Sequence, residues 1–178
     1  TFNPLLGEQA KAASKICQSM AETHYFDTEQ KHILDISSRL YDIGLTAVPS
    51  GFMSAVQTNP ADLPPELKNV VENHTIQAQA LASFVDSLRP VGETIRAHHE
   101  RYDGTGYPDG LAGEMIPWTA RCLAVVAYYV TCGLSHEMAV DSILEQSGTA
   151  FDPDATRLFS RCAQASPLPR LVKEVMVD

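Results

Sequence analysis

The chain has 178 residues, 44% of them hydrophobic and 20% charged, with a formal net charge of −9. Such a length fits one compact domain that buries a proper core. The acidity argues against a nucleic-acid backbone or an anionic membrane as the main partner, and leaves room for a small anionic ligand at a locally cationic site.

Periodicity predicts helices almost throughout. Over residues 9–20, Ala12, Ala13, Ile16 and Met20 recur at helical spacing. Asp27 with Gln30 forms a capping-box pattern ahead of a second helix carrying Ile33, Ile36 and Leu40. Residues 49–65 hold four prolines and read as a loop. Pro65 and Glu66 then open a long helix whose predicted stripe is Val70, His74, Ala78, Leu81, Val85 and Leu88. Pro90 breaks it, and a shorter helix with Val91 and Ile95 runs toward His98 and His99.

Beyond a glycine-punctuated loop, Pro117 starts a helix with Ala120, Leu123, Ala124, Ala127 and Thr131 on one side. Ser135 caps a helix carrying Ala139 and Ile143, predicted to stop at Gly148. Asp152-Pro153 starts the last, with Leu158, Phe159 and Cys162. No period-two alternation persists, so the fold class is all-α.

The four cysteines form no CxxC pair, and Cys17, Cys122 and Cys162 fall in apolar helical patterns, so buried free thiols are expected. The longest apolar run, residues 123–130, is far short of the ~20 residues of a membrane span, so no membrane insertion is expected. No signal-peptide pattern opens the chain, and the cytoplasm is the default location. Starting with Thr1-Phe2-Asn3 and no Met, it reads as a piece of something longer.

The most informative stretch is residues 98–117, HHERYDGTGYPDGLAGEMIP. Two histidines and an acid (His98, His99, Glu100) precede a loop containing Asp103, Gly104, Gly106, Tyr107, Pro108 and Gly110. This resembles the signature of the HD-GYP family, bacterial metal-dependent phosphodiesterases that hydrolyse cyclic di-GMP. The resemblance covers roughly residues 30–159 and implies an HD-superfamily helical bundle with the GYP loop between two helices. It implies a single domain over 1–178, cut from an upstream sensor or receiver domain. Residues 49–60 run longer than the family usually allows.

Phosphodiester hydrolysis commonly uses two or more metals about 3.5–4 Å apart. Against the family's ligand pattern, Asp42, His74, His98 and His99 stand at metal-ligand positions. Tyr41 stands where a ligand His is expected, Leu45 where the family has a Lys facing phosphate, and Ala127 where it has a ligand Asp. No histidine precedes His24, so the first-helix ligand is absent. The four survivors suit one divalent transition metal (Fe, Mn or Zn), held weakly and at low occupancy. Alone, His74 reads as a buried core histidine and His98-His99 as a helix end; their coincidence with four ligand positions supports the metal reading.

The loop has more than one use open to it. Its glycines permit positive φ and close backbone approach. Tyr107 and Arg121 suit stacking on a guanine or pairing with its phosphate. The resemblance also implies docking to GGDEF-type diguanylate cyclases, and the plain alternative is a turn joining two helices. His24, His32 and His136 carry no assigned role. The expectation is a degenerate HD-GYP domain acting as a regulatory module that binds a partner or cyclic di-GMP, with phosphodiesterase activity lost or weakened. Residual hydrolysis by a reduced metal set and a purely structural output domain are its rivals.

Overall fold

Seven α-helices follow one another in a computed structural model that describes residues 4–23, 25–47, 64–165 and 168–169. They are α1 (Pro4–Ala21), α2 (Thr28–Leu40), α3 (Pro65–Ala82), α4 (Arg89–Arg96), α5 (Trp118–Thr131), α6 (His136–Glu145) and α7 (Pro153–Ala165). Among the described residues no strand forms, only an isolated bridge between Ser147 and Phe151. The all-α expectation holds. His24 and residues 49–63 of the predicted proline-rich loop lie outside the described residues.

α5 is apolar on nearly every side, with Leu123, Val126, Ala127 and Tyr129 among its buried residues, and a helix of that kind belongs in the middle. It packs on α1, α2, α4, α6 and α7. The caps formed as read. Asp27 accepts from the Gln30 amide at 2.8 Å while its own amide donates to Gln30 Oε1 at 3.2 Å. Ser135 Oγ accepts from Met138 N at 3.3 Å. Asp152 caps α7 through the amides of Asp154 and Ala155 at 2.6 and 3.1 Å, and its other oxygen pairs with Arg121 of α5. Cys17, Cys122 and Cys162 are buried free thiols, and Cys132 is half-buried.

Two readings of α3 need correction. The buried face is Val71, His74, Thr75, Ala78 and Ala82, whereas Val70, Leu81 and Val85 of the predicted stripe are 43%, 52% and 50% exposed. The face is rotated because α3 docks closely on α4, where small residues meet: a Cβ on Gly92 would lie 3.3 Å from Gln79 Cγ and 3.5 Å from Ala82 Cβ. The helix also stops at Ala82, not Leu88, with the Ser83 amide donating to Gln79 O. Pro90 sits in the first turn of α4 and starts a helix instead of ending one. α6 ends at Glu145, short of Gly148.

One glycine places the end of α2 against α3. After Leu40, Tyr41 and Asp42 turn into a short 3₁₀ segment, Ile43–Ala47. There Gly44 lies so close to α3 that a Cβ would collide with the His74 carbonyl oxygen and come within 2.9 Å of its carbon. Any side chain here must push the segment, and Asp42 with it, away from α3. Gly44→Ala is expected to destabilise the fold by about 1–3 kcal/mol, the usual cost of overpacking. In thermal denaturation that is a fall in Tm of roughly 2–12 °C.

Candidate metal centre

Asp42, His74, His98 and His99 come from three separate places: the turn after α2, the middle of α3 and the turn after α4. One ligand atom from each lies within 4.8 Å of all the others. His74 and His98 are among the most deeply buried side chains of the protein. His98 Nδ1 donates to the Ile95 carbonyl at 2.6 Å, and His74 Nδ1 donates to the Val71 carbonyl. Both bonds reach back three residues, so each ring is oriented by its own local backbone.

A neutral imidazole has one N–H and one lone pair. With Nδ1–H committed to a carbonyl, the lone pair sits on Nε2. In both rings Nε2 faces Asp42 Oδ1, at 3.4 Å for His74 and 3.9 Å for His98, and in both it is buried with no hydrogen-bond partner. Two lone pairs aimed at a carboxylate are repulsive unless a cation or proton lies between them. On His98 a proton is disfavoured: burial first, then His74, pushes that ring down to about 4, against the smaller upward pull of Asp42. His99 is held well below the ordinary imidazole range by burial and by its two histidine neighbours. Three imidazoles and one carboxylate fit a divalent transition metal such as Fe, Mn or Zn.

The group opens into a cavity of about 660 Å³, within the ~300–1,000 Å³ range of small-molecule sites. Away from the four ligands its walls are mainly apolar, with Leu45, Val71, Ala124 and Ala127 among them. Tyr41 meets His98 edge-on at 5.3 Å, and its buried hydroxyl has no partner. Burial, then Asp42 and Cys17, holds that phenol protonated. Sequence reading missed Gln9, a buried polar residue of α1 that also lines the cavity. The available signal was an amide at the head of the apolar face Ala12, Ala13, Ile16.

The GYP loop folds back over the histidines instead of projecting from them. Gly104 and Gly110 have φ of +81° and +67°. Gly106 uses close approach instead, since a Cβ there would lie 2.6 Å from both Glu100 Cα and His99 O. The buried Glu100 carboxylate accepts from the amides of Asp109 (2.6 Å) and Leu111 (3.1 Å). Arg96 grips Asp109 with two bonds of 2.6 and 2.7 Å. Exposed Asp103 bonds Arg101 and Thr105, which lower its pKa to about 2. A cis peptide joins Tyr107 to Pro108.

Two loop readings change. Tyr107 is not an open aromatic face: its ring stacks on His99 at 4.8 Å and 19°. Arg121 is absent from the cavity lining; its guanidinium is taken up by Asp152, the Ile116 carbonyl and the face of Trp118.

For the metal-free protein the depressed imidazoles set the sign of the pH response. A group whose folded pKa lies below its unfolded value stabilises fully above the unfolded value and loses that contribution on acidification. His98, falling from an ordinary 6.5 to about 4, costs about 1.4 kcal/mol per pH unit as pH drops through that window. Denaturant titration in chelator is expected to show this decline below pH 6.5, and His98→Gln to flatten it.

An HD domain family model matches residues 2–155. The cyclic di-GMP phosphodiesterase response regulator RpfG of Xanthomonas campestris pv. campestris is 32% identical over 150 residues, which cover 79% of this chain and 39% of RpfG. A cyclic di-GMP phosphodiesterase of Vibrio cholerae is 34% identical over 141 residues, 69% of this chain and 27% of that protein. The chain thus spans well under half the length of these relatives. Among solved structures, the HDG"Y"P protein Bd1817 of Bdellovibrio bacteriovorus superposes with a TM-score of 0.71 at 17% identity, over 89% of this chain and 52% of that one. A cyclic GMP-AMP specific phosphodiesterase of V. cholerae, V-cGAP3, gives 0.68 at 16% identity, over 90% and 47%. The matched span, the relatives and the helical arrangement agree with the His-His and GYP motifs: the chain belongs to the HD-GYP family of HD domains.

Proposed function

We propose that this chain is a regulatory HD-GYP domain that binds a cyclic dinucleotide beside a single metal and has lost most of the hydrolytic chemistry. The observation that carries the reading is the donor set of the cavity. Asp42 and three imidazoles lie within 4.8 Å of one another, while Tyr41, Leu45 and Ala127 of the same lining supply no further imidazole, ammonium or carboxylate. Asp42, His74, His98 and His99 would hold one cation, whose chemistry is to polarise a phosphate oxygen and activate water.

The chain's own residues supply less help than the reaction needs. Tyr41 contributes a neutral hydroxyl, without a partner in this structure, that carries no compensating charge. The cations that line the cavity, Lys68 and Arg101, are paired with Glu72 at 3.7 Å and Asp103 at 3.0 Å. Each missing electrostatic stabiliser costs typically ~10²–10³ in rate, and the losses at Tyr41, Leu45 and Ala127 combine. Binding survives such losses better than catalysis does, because phosphate and base contacts do not require a second cation. The similarity to phosphodiesterases of cyclic di-GMP and of 3'3'-cGAMP supports a cyclic dinucleotide as the ligand class. Hydrolysis by the reduced metal set is the second reading, favoured by the intact group of four ligands.

Elemental analysis of protein purified without chelator is expected to give at most one transition metal per chain, removable by chelator. Two or more tightly held metals overturn the single-site reading.

Cyclic di-GMP is expected to bind by calorimetry and to be hydrolysed little or not at all with added Mn or Fe. Turnover at an ordinary ~1–10³ s⁻¹, abolished by His99→Ala, decides for the enzyme. The combined variant Tyr41→His, Leu45→Lys, Ala127→Asp is expected to raise hydrolysis.

A further inference from the structure

His99 differs from its two companions in how it is held. Local carbonyls fix the rings of His74 and His98. Among the described residues the His99 side chain has ring contacts only: His74 edge-on at 5.1 Å, His98 tilted at 4.0 Å and Tyr107 stacked at 4.8 Å and 19°. A metal-binding histidine normally has its second nitrogen fixed by an outer partner, and losing that partner typically costs 10–100-fold in affinity. At His99 the flat contact with Tyr107 stands in that place.

The position of Tyr107 is set by the backbone of the loop. Its amide donates to the His99 carbonyl at 3.3 Å. Gly106, immediately before it, lies against the His99–Arg101 backbone so closely that no side chain fits. Beyond Pro108, the Glu100 carboxylate and the Arg96 fork secure Asp109. The loop is pinned on both sides of Tyr107, and its ring lies over the imidazole of its own His-His pair. Tyr107 is also less free to act as a docking group, since one face of its ring is already covered.

We propose that Tyr107 is the positioning residue of His99: its ring, laid flat on the imidazole by the folded-back loop, holds a His99 nitrogen toward Asp42, His74 and His98. The inference rests on the metal reading above for its consequence, and on the ring geometry alone for its cause. The chemistry required of position 107 is a planar ring, with no need of the hydroxyl.

Cobalt(II) provides the probe, titrated by its visible absorption into wild type, Tyr107→Phe, Tyr107→Leu and Tyr107→Met. Phe is expected to bind within threefold of wild type. Leu and Met, which keep apolar volume without a flat face, are expected to bind 10–100-fold more weakly. The metal-free proteins give an independent readout. Stacking shifts the His99 ring C–H resonances upfield in wild type and Phe, and the shift disappears in Leu and Met. Melting curves identify any variant that unfolds, and the other apolar variant then serves. Wild-type cobalt affinity in folded Leu or Met, or unchanged His99 resonances, overturns the proposal. If wild type takes up no cobalt, the metal reading falls, and the resonances alone decide whether Tyr107 orients His99.

Discussion

Three imidazoles and a carboxylate, two of the rings fully buried, share one cavity, and the surrounding architecture is arranged around that burden. Two of the rings dispose of Nδ1–H within their own turn of chain, at the carbonyls of Val71 and Ile95. That choice fixes their tautomer without help from any distant element. It also turns both Nε2 atoms toward Asp42. The remaining task is to bring three segments together, and the chain does this by deleting side chains where they would intrude. Gly44 brings the turn after α2 onto α3, and Gly106 brings the loop onto the end of α4.

Unsatisfied buried polar atoms each cost about 1–3 kcal/mol, and globular proteins tolerate few of them. Of four such atoms among the described residues, three (Tyr41 Oη, His74 Nε2 and His98 Nε2) belong to residues lining one cavity. The fourth, Trp118 Nε1, belongs to a residue outside that lining. Such a concentration is a local conflict with stability of the kind that marks functional ground. Two polar networks are complete: Glu100, which lines the cavity, with the loop amides, and Asp152 with Arg121 outside the lining.

The order of helices, their caps and the convergence of Asp42, His74, His98 and His99 were legible because each depends on short-range pattern: a capping box, a proline in a first turn, a motif. The face of α3 was not. Val70, Leu81 and Val85 follow helical spacing as well as the true face does, and only the close docking of α3 on α4 selects Thr75, Ala78 and Ala82 instead. Arg121 was misread for a related reason. Its partner, Asp152, is thirty-one residues away, and nothing near Arg121 announces it. Gln9 and the stacking of Tyr107 on His99 are likewise tertiary facts. The motif named the participants of the loop without showing which way it folds.

The distribution of thiols has a practical side. Cys17, Cys122 and Cys162 are buried, and burial pushes each thiol above its ordinary range, which leaves them little thiolate with which to react. Cys132 is half-buried and lines the same cavity as the histidines. The chain therefore carries its own reporter: a small alkylating reagent should find Cys132 first, and a molecule seated in the cavity should shield it.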